Sequence, residues 1–169
     1  MAVLFVSGLA TMISSGEFAN VTCAASTASP CPSYSAANSN LQTALTGADT
    51  FYSGTAGANS YSGLYGGNGV STITGIDTAL SYVTRSGSSR PNVISLAYGR
   101  QWLVMTAYAP GVRDCWVVTD VKVHLDRPVT GQTKPGVSFG VLTSNAGGRH
   151  CTAARAVPAT MQATGFPHG

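Results

Sequence analysis

Charge is what this 169-residue chain has least of. Asp, Glu, Lys and Arg together make up 9% of it, against about 25% in ordinary globular domains. The nine basic and six acidic residues are dispersed and leave a formal net charge of +3. No Lys/Arg run occurs, and no basic stretch is interleaved with aromatics, so no nucleic-acid partner is indicated. No close pair of carboxylates marks acid/base work. There is no Cys-x-x-Cys, and the histidines at 124, 150 and 168 are scattered, so neither a metal site nor a redox motif has support. No apolar run reaches the roughly 20 residues that span a bilayer. Catalytic residues, cofactors and metals are therefore not expected.

Ser, Thr, Asn and 20 glycines supply the polarity instead. With a mean hydropathy of +0.15, the chain is too apolar for disorder. Its length suits one hydrophobic core. This charge-poor, hydroxyl-rich composition points to a secreted or cell-surface protein rather than a cytosolic enzyme.

Four cysteines stand at 23, 31, 115 and 151. An even number in such a chain reads as disulfides formed in an oxidising compartment. Three pairings are possible. The local one, Cys23 with Cys31 and Cys115 with Cys151, is preferred. Asn20-Val21-Thr22 fits a glycosylation acceptor.

Met1 to Ile13 is almost wholly apolar. It is either a first element of the core or a segment that buries itself in a membrane or among copies of itself. Residues 14–38 are Ser/Ala/Thr/Pro-rich, with Pro30 and Pro32 flanking Cys31, and read as a linker without regular helix. The chain thus divides into an apolar segment with linker, 1–38, and a globular head, 39–169. In the head, Leu41, Ala44, Leu45, Ala48, Phe51 and Tyr52 recur at helical spacing, capped by Asn38, Ser39 or Asn40 and ended by Gly54. The Gly/Ser/Asn/Tyr-rich stretch 54–69 is a loop, in which Tyr61 and Tyr65 are candidate surface contacts. Ile73, Ile76, Leu80 and Val83 suggest a short helix behind Ser71 or Thr72.

Strands follow. Val93–Tyr98 and Trp102–Tyr108 make a hairpin across Gly99-Arg100. Cys115–Asp126 alternates. Cys115, Val117, Thr119, Val121, Val123 and Leu125 form the buried face, and Trp116, Val118, Asp120, Lys122, His124 and Asp126 the wet one. Val137–Leu142 is a fourth strand. Helix first and strands after reads as α+β, with the N-terminal segment and helix packed on an antiparallel sheet of about four strands.

Gly136-Val137-Ser138-Phe139-Gly140 matches the G-x-S-x-G nucleophile elbow, with His150 and Asp126 as available partners. The sequence after it is a poor helix, so a chance match is favoured.

The order of elements resembles the head of type IV pilins and pseudopilins, above all Gram-positive and actinobacterial ones. Ser39 to Tyr52, with its Asn40-Leu41 and Ala44-Leu45-Thr46, resembles the end of their first helix. Ala58-Asn59-Ser60-Tyr61 resembles their following loop, and Ala79 to Val83 with Asn92 to Ser95 their entry to the sheet. Asp114-Cys115-Trp116-Val117-Val118 and His150-Cys151-Thr152-Ala153 resemble their closing strand and cysteine. The resemblance runs from Ser39 to Ala153, and the family's N-terminal processing site is not matched. It implies a Cys115–Cys151 loop, an extracellular filament as the setting, and assembly in place of catalysis. Val3, Leu4, Phe5, Val6, Leu9, Met12 and Ile13 would then bundle as a helical homo-oligomer, after contact with a membrane. The alternative is a secreted monomeric adhesin or carbohydrate-binding module.

Overall fold

The computed structural model describes residues 32–66, 72–143, 151–158 and 160–166. The expected assembly residues Val3, Leu4, Phe5, Val6, Leu9, Met12 and Ile13 lie outside these, as do Cys23, Cys31, Asn20, His150 and His168.

Helix α1 runs from Pro32 to Ser53. It includes residues 32–38, which composition assigns to a linker. Proline costs nothing at the first helical position, where its missing N–H would have no partner. Asn38, Ser39 and Asn40 therefore sit inside the helix rather than capping it. The apolar spacing translates directly into packing: Ala37, Leu41, Ala44, Ala48 and Phe51 are buried, with Leu45 and Tyr52 partly so. At the C-terminal end the Gly54 N–H still donates to Thr50 O at 3.0 Å.

A four-residue helix, α2 (Ile73–Ile76), stands beside α1. Val83, read with it from periodicity, belongs instead to strand β1 (Ser81–Val83). The chain then forms β2 (Val93–Tyr98), β3 (Trp102–Ala109), β4 (Asp114–Val121) and β5 (Gly136–Thr143), and ends its sheet with β6 (Met161–Gln162). The α+β class holds, but the sheet has six strands and is mixed. Its order is β1-β2-β3-β4-β5-β6, every neighbour consecutive in sequence. The pair β1/β2 is parallel and the rest antiparallel.

The register puts Ile94, Ala107, Trp116 and Val141 in one row, and Leu96, Met105, Val118 and Phe139 in the next. This is the face under α1, and these residues share its core. The face expected to be wet is therefore the one that carries the main core. The other face is dry too: Val104, Thr106, Cys115, Val117 and Thr119 are buried. A strand interior on both sides shows no polar/apolar alternation, and Lys122, His124 and Asp126 lie beyond the end of β4, where they give the sequence a misleading polar period.

What covers the second face is the segment after Cys151. A 3-10 turn at Ala153–Arg155 sets Ala153 and Ala156 against Val104 and Val117. The chain then passes along the β5 edge as β6, and Phe166 arrives on the α1 side, edge-on to Trp116 at 5.1 Å and Phe139 at 4.9 Å. Gly140 makes room for this strap, since a Cβ there would meet Met161 Sδ at 2.5 Å and Pro158 Cγ at 2.9 Å.

The strap is fastened by the Cys115–Cys151 disulfide, Cα–Cα 5.3 Å. Around it is a buried polar seam. The Cys151 carbonyl accepts from the Ser88 N–H at 2.7 Å and from the Thr106 hydroxyl at 2.9 Å. Ser88 Oγ accepts from the Tyr108 N–H at 2.8 Å, and Ser95 Oγ from the Ala153 N–H at 3.1 Å. These hydroxyls satisfy backbone groups that burial would otherwise leave costly.

Replacing both Cys115 and Cys151 by Ala is expected to lower unfolding stability by about 3–4 kcal/mol on the loop-entropy argument for a separation of 36 residues. Urea titration under non-reducing conditions measures it, and added reductant should have no further effect on the variant's C-terminal strap.

Candidate functional site

Polar chemistry gathers where α1, the loop after it and the end of β4 meet. Helix periodicity carries Asp49 to the sheet side of α1, beside Ala48 and Tyr52. The loop folds Tyr61 inward, held by its N–H to Arg100 O at 2.9 Å. Asp120 follows Trp116 and Val118 on the same face of β4, and Lys122 continues that row past the strand's end. The Lys122 N–H to Gln101 O bond, 2.9 Å, keeps it in line.

The Lys122 ammonium sits 2.7 Å from Asp49 Oδ1 and 2.8 Å from Asp120 Oδ2. It also lies 5.1 Å from the Tyr52 ring centroid and 5.8 Å from that of Tyr61, within cation–π reach. The Tyr61 hydroxyl is 2.6 Å from Asp120 Oδ2 and 3.0 Å from Asp49 Oδ1. Tyr52 donates to Gln101 Oε1 at 2.7 Å, and Gln101 Nε2 donates to Asn59 O at 3.0 Å. The Asp120 side chain is 2% exposed, Lys122 25% and Asp49 44%, so the cluster grades from interior to surface.

Two carboxylates face one ammonium. Burial pushes the Asp120 carboxyl above its ordinary range, against the opposing hydrogen bonds from Lys122 and Tyr61. Burial pulls Lys122 down, but the bonds to Asp120 and Asp49 outweigh it and raise its affinity for its proton. Tyr61 is raised far above its ordinary 10.0, by burial first and by Asp120 next. It is a neutral donor at any physiological pH.

Tyr61 is thus wholly buried, and the expectation that it forms a surface contact gives way to an interior role. The phenol's single proton lies between two carboxylate oxygens. Tyr65 is half-buried, its carbonyl accepting from the Tyr98 hydroxyl at 2.9 Å. Ser138 lies mid-strand in β5, opposite Thr119, with its hydroxyl bonded to Gln132. The strand-turn-helix setting of a nucleophile elbow is not found there. His124 is exposed. Among the described residues no three His, Cys, Asp or Glu side chains cluster to hold a metal ion, and no helix is long and apolar enough to cross a membrane. Cys115 and Cys151 are joined as the local pairing expects.

An open groove of about 500 Å³ runs beside β5, lined by Thr130, Gln132, Lys134, Ser138, Pro158 and Met161. Thr130 (φ 50°) and Gly131 (φ 86°) form the tight turn at its rim. Gln132 is fully engaged: its amide donates to Lys134 O at 3.0 Å and Gly136 O at 2.7 Å, and its oxygen takes the Ser138 hydroxyl.

Neither a protein-family model, nor a curated protein, nor a solved structure matches this chain.

Asp49, Asp120 and Lys122 are not legible as one site from sequence pattern alone. The available signal is local: an acid and a base two residues apart, ending an otherwise apolar strand, Val117-Val118-Thr119-Asp120-Val121-Lys122.

Alkaline stability follows from the phenols. Tyr61 and Tyr82 are both buried and raised above 10.0, Tyr82 by burial and by Asp77. In the unfolded chain each ionises near 10.0, so the stability they contribute is present below that pH and lost above it. Unfolding free energy should fall above pH 10 by at most about 1.4 kcal/mol per pH unit for each phenol. Urea titrations between pH 9 and 12 check it, with a shallower slope in Tyr61→Phe. A second expectation concerns the ammonium. Lys122→Met strands the Asp120 carboxylate and should cost about 3 kcal/mol, the lower end of the range for a broken buried pair, since Lys122 keeps some contact with water. In the Lys122→Met/Asp120→Asn double variant the loss should be smaller than the sum of the single losses.

Proposed function

We propose that the chain is a structural subunit of an extracellular filament, of the type IV pilus or type II secretion pseudopilus kind, working by assembly rather than catalysis. The observation that carries this is the architecture. Helix α1, with its buried face running from Ala37 to Phe51, lies across a sheet built in strict sequence order, in a head closed by the Cys115–Cys151 bridge. Helix, sheet and bridge come in the order the resemblance implies, although the sheet has six strands and is mixed rather than four-stranded and antiparallel. The bridge suits an oxidising, extracellular setting.

Ahead of the helix the sequence supplies Val3, Leu4, Phe5, Val6, Leu9, Met12 and Ile13. Burying one such side chain contributes roughly 1.5–3 kcal/mol, so several gathered among neighbouring copies hold a polymer axis. A head-to-tail contact that does not close generates a helical filament. Before assembly the same segment would rest in a membrane. The open groove beside β5, lined by Lys134, Pro158 and Met161 as well as by the mutually bonded Gln132 and Ser138, favours a second reading, a secreted monomeric adhesin or carbohydrate-binding module.

The full chain at high concentration should give fibres by negative-stain microscopy, and a chain lacking residues 1–13 a soluble monomer by light scattering. Fibres from the shortened chain, or a stable monomer from the full one, would overturn the filament reading.

A further inference from the structure

Lys122 is not placed as surface lysines are. Its ammonium contacts two carboxylates at once, Asp49 of α1 at 2.7 Å and Asp120 of β4 at 2.8 Å. A single hydroxyl, that of Tyr61, lies within 3.0 Å of both acids. The Tyr52 and Tyr61 rings wall in the amine. An ordinary surface pair contributes little and needs no such enclosure. An amine held against one carboxylate, beside a second and buried carboxylate, has the parts for condensation.

We propose that Lys122 and Asp49 join in an intramolecular isopeptide bond, with Asp120 relaying the protons. The Lys122 ammonium passes a proton to Asp120, and the freed amine attacks Asp49 Cγ. The Nζ–Cγ bond forms and one Cγ–Oδ bond breaks. Two of the three ammonium protons leave with that oxygen as water, the third stays on the amide nitrogen, and Asp120 ends as the carboxylate it began. One positive and one negative charge disappear together. No electrons change hands and no co-reactant is required.

Asp49 is the acid that reacts and Asp120 the one that relays, for two reasons. Asp120 is 2% exposed, so water formed on it has no exit, whereas Asp49 is 44% exposed. Burial raises the affinity of Asp120 for a proton; the same burial works against the Lys122 ammonium, whose hold on its proton comes from its bonds to Asp120 and Asp49, the contacts that the condensation consumes. Once Asp120 holds the relayed proton, the one Tyr61 proton turns to Asp49 Oδ1, 3.0 Å away, and steadies the charge that builds there during attack. In free solution the condensation of a carboxylate with an ammonium is unfavourable. Here the groups are already in contact, and fixed proximity is equivalent to concentrations on the order of 10⁵–10⁸ M. The product ties α1 covalently to the end of β4 across a sequence separation of 73, so that a pull on the helix passes straight into the sheet. The bond does not depend on the filament reading.

The test is the intact mass of the purified full chain after disulfide reduction, with peptide mapping. The wild type should be lighter than its sequence by one water, and a branched peptide should join Asp49 to Lys122. Asp49→Asn should lose one ammonia at the same place. Lys122→Arg and Asp120→Asn should show their full sequence masses. A wild-type chain of full mass would overturn the proposal, as would a water loss located in a linear peptide, such as a cyclised aspartate. A branched peptide persisting in Asp120→Asn would overturn the relay role.

Discussion

A strand with one apolar face needs one cover, and β4 needs two. Cys115 and Val117 are as dry as Trp116 and Val118, and β3 repeats the pattern beside it. This demand for a second cover governs how the rest of the chain is spent. One side is met by α1, a regular helix with small residues (Ala37, Ala44 and Ala48) that let it approach the sheet closely. The other is met by the strap after Cys151, which has little regular structure of its own. A short irregular segment loses much conformational entropy for the apolar area it hides. The disulfide lowers that loss by limiting the unfolded chain, and the Ser88 N–H with the hydroxyls of Ser95 and Thr106 removes the penalty for burying its backbone.

Among the described residues, the core accepts a buried charge at the charged cluster, where Asp120 is 2% exposed. Asp120 is buried at the end of β4 because Lys122, Tyr61 and Asp49 converge on it from the strand, the loop and the helix. In a chain with so few charges, three of them meeting at one junction marks that junction as the seam between α1 and the sheet. In a filament subunit the helix is the part that would be pulled, and the head the part that would resist. A covalent tie at that seam would lie along the line of load. A monomeric binding protein would have less use for it and more for the groove beside β5.

Much of this was legible in advance where the signal is long and local. The apolar spacing from Leu41 to Tyr52 gives the helix face, and Gly99-Arg100 gives the hairpin between β2 and β3. Short elements escaped. Over the three residues of β1 or the two of β6 no periodicity exists to read, so Val83 reads with the helix before it. Pro32 misled because its meaning depends on position: it bars a helix interior and favours a helix start. One face of β4 reads as wet because Asp120 and Lys122 look like solvent-facing residues until their partners, Asp49 and Tyr61, are brought up from far along the chain. Of an ion-pair cluster spanning such separations local sequence shows one half, here Asp120 and Lys122 ending an apolar strand, and not the partner that makes it an interior site. Tyr61 misled in the same way, since a Tyr in a Gly/Ser loop carries no sign of which way it turns.

The central claim is that the sheet is interior on both sides, and paired substitutions of neighbouring residues test it directly. Val118→Asp places a charge under α1, and Val117→Asp places one under the C-terminal strap. With two dry faces, urea unfolding should show both variants severely and comparably destabilised. If Val117→Asp were tolerated while Val118→Asp unfolded the protein, the second face would be wet and the strap no part of the core.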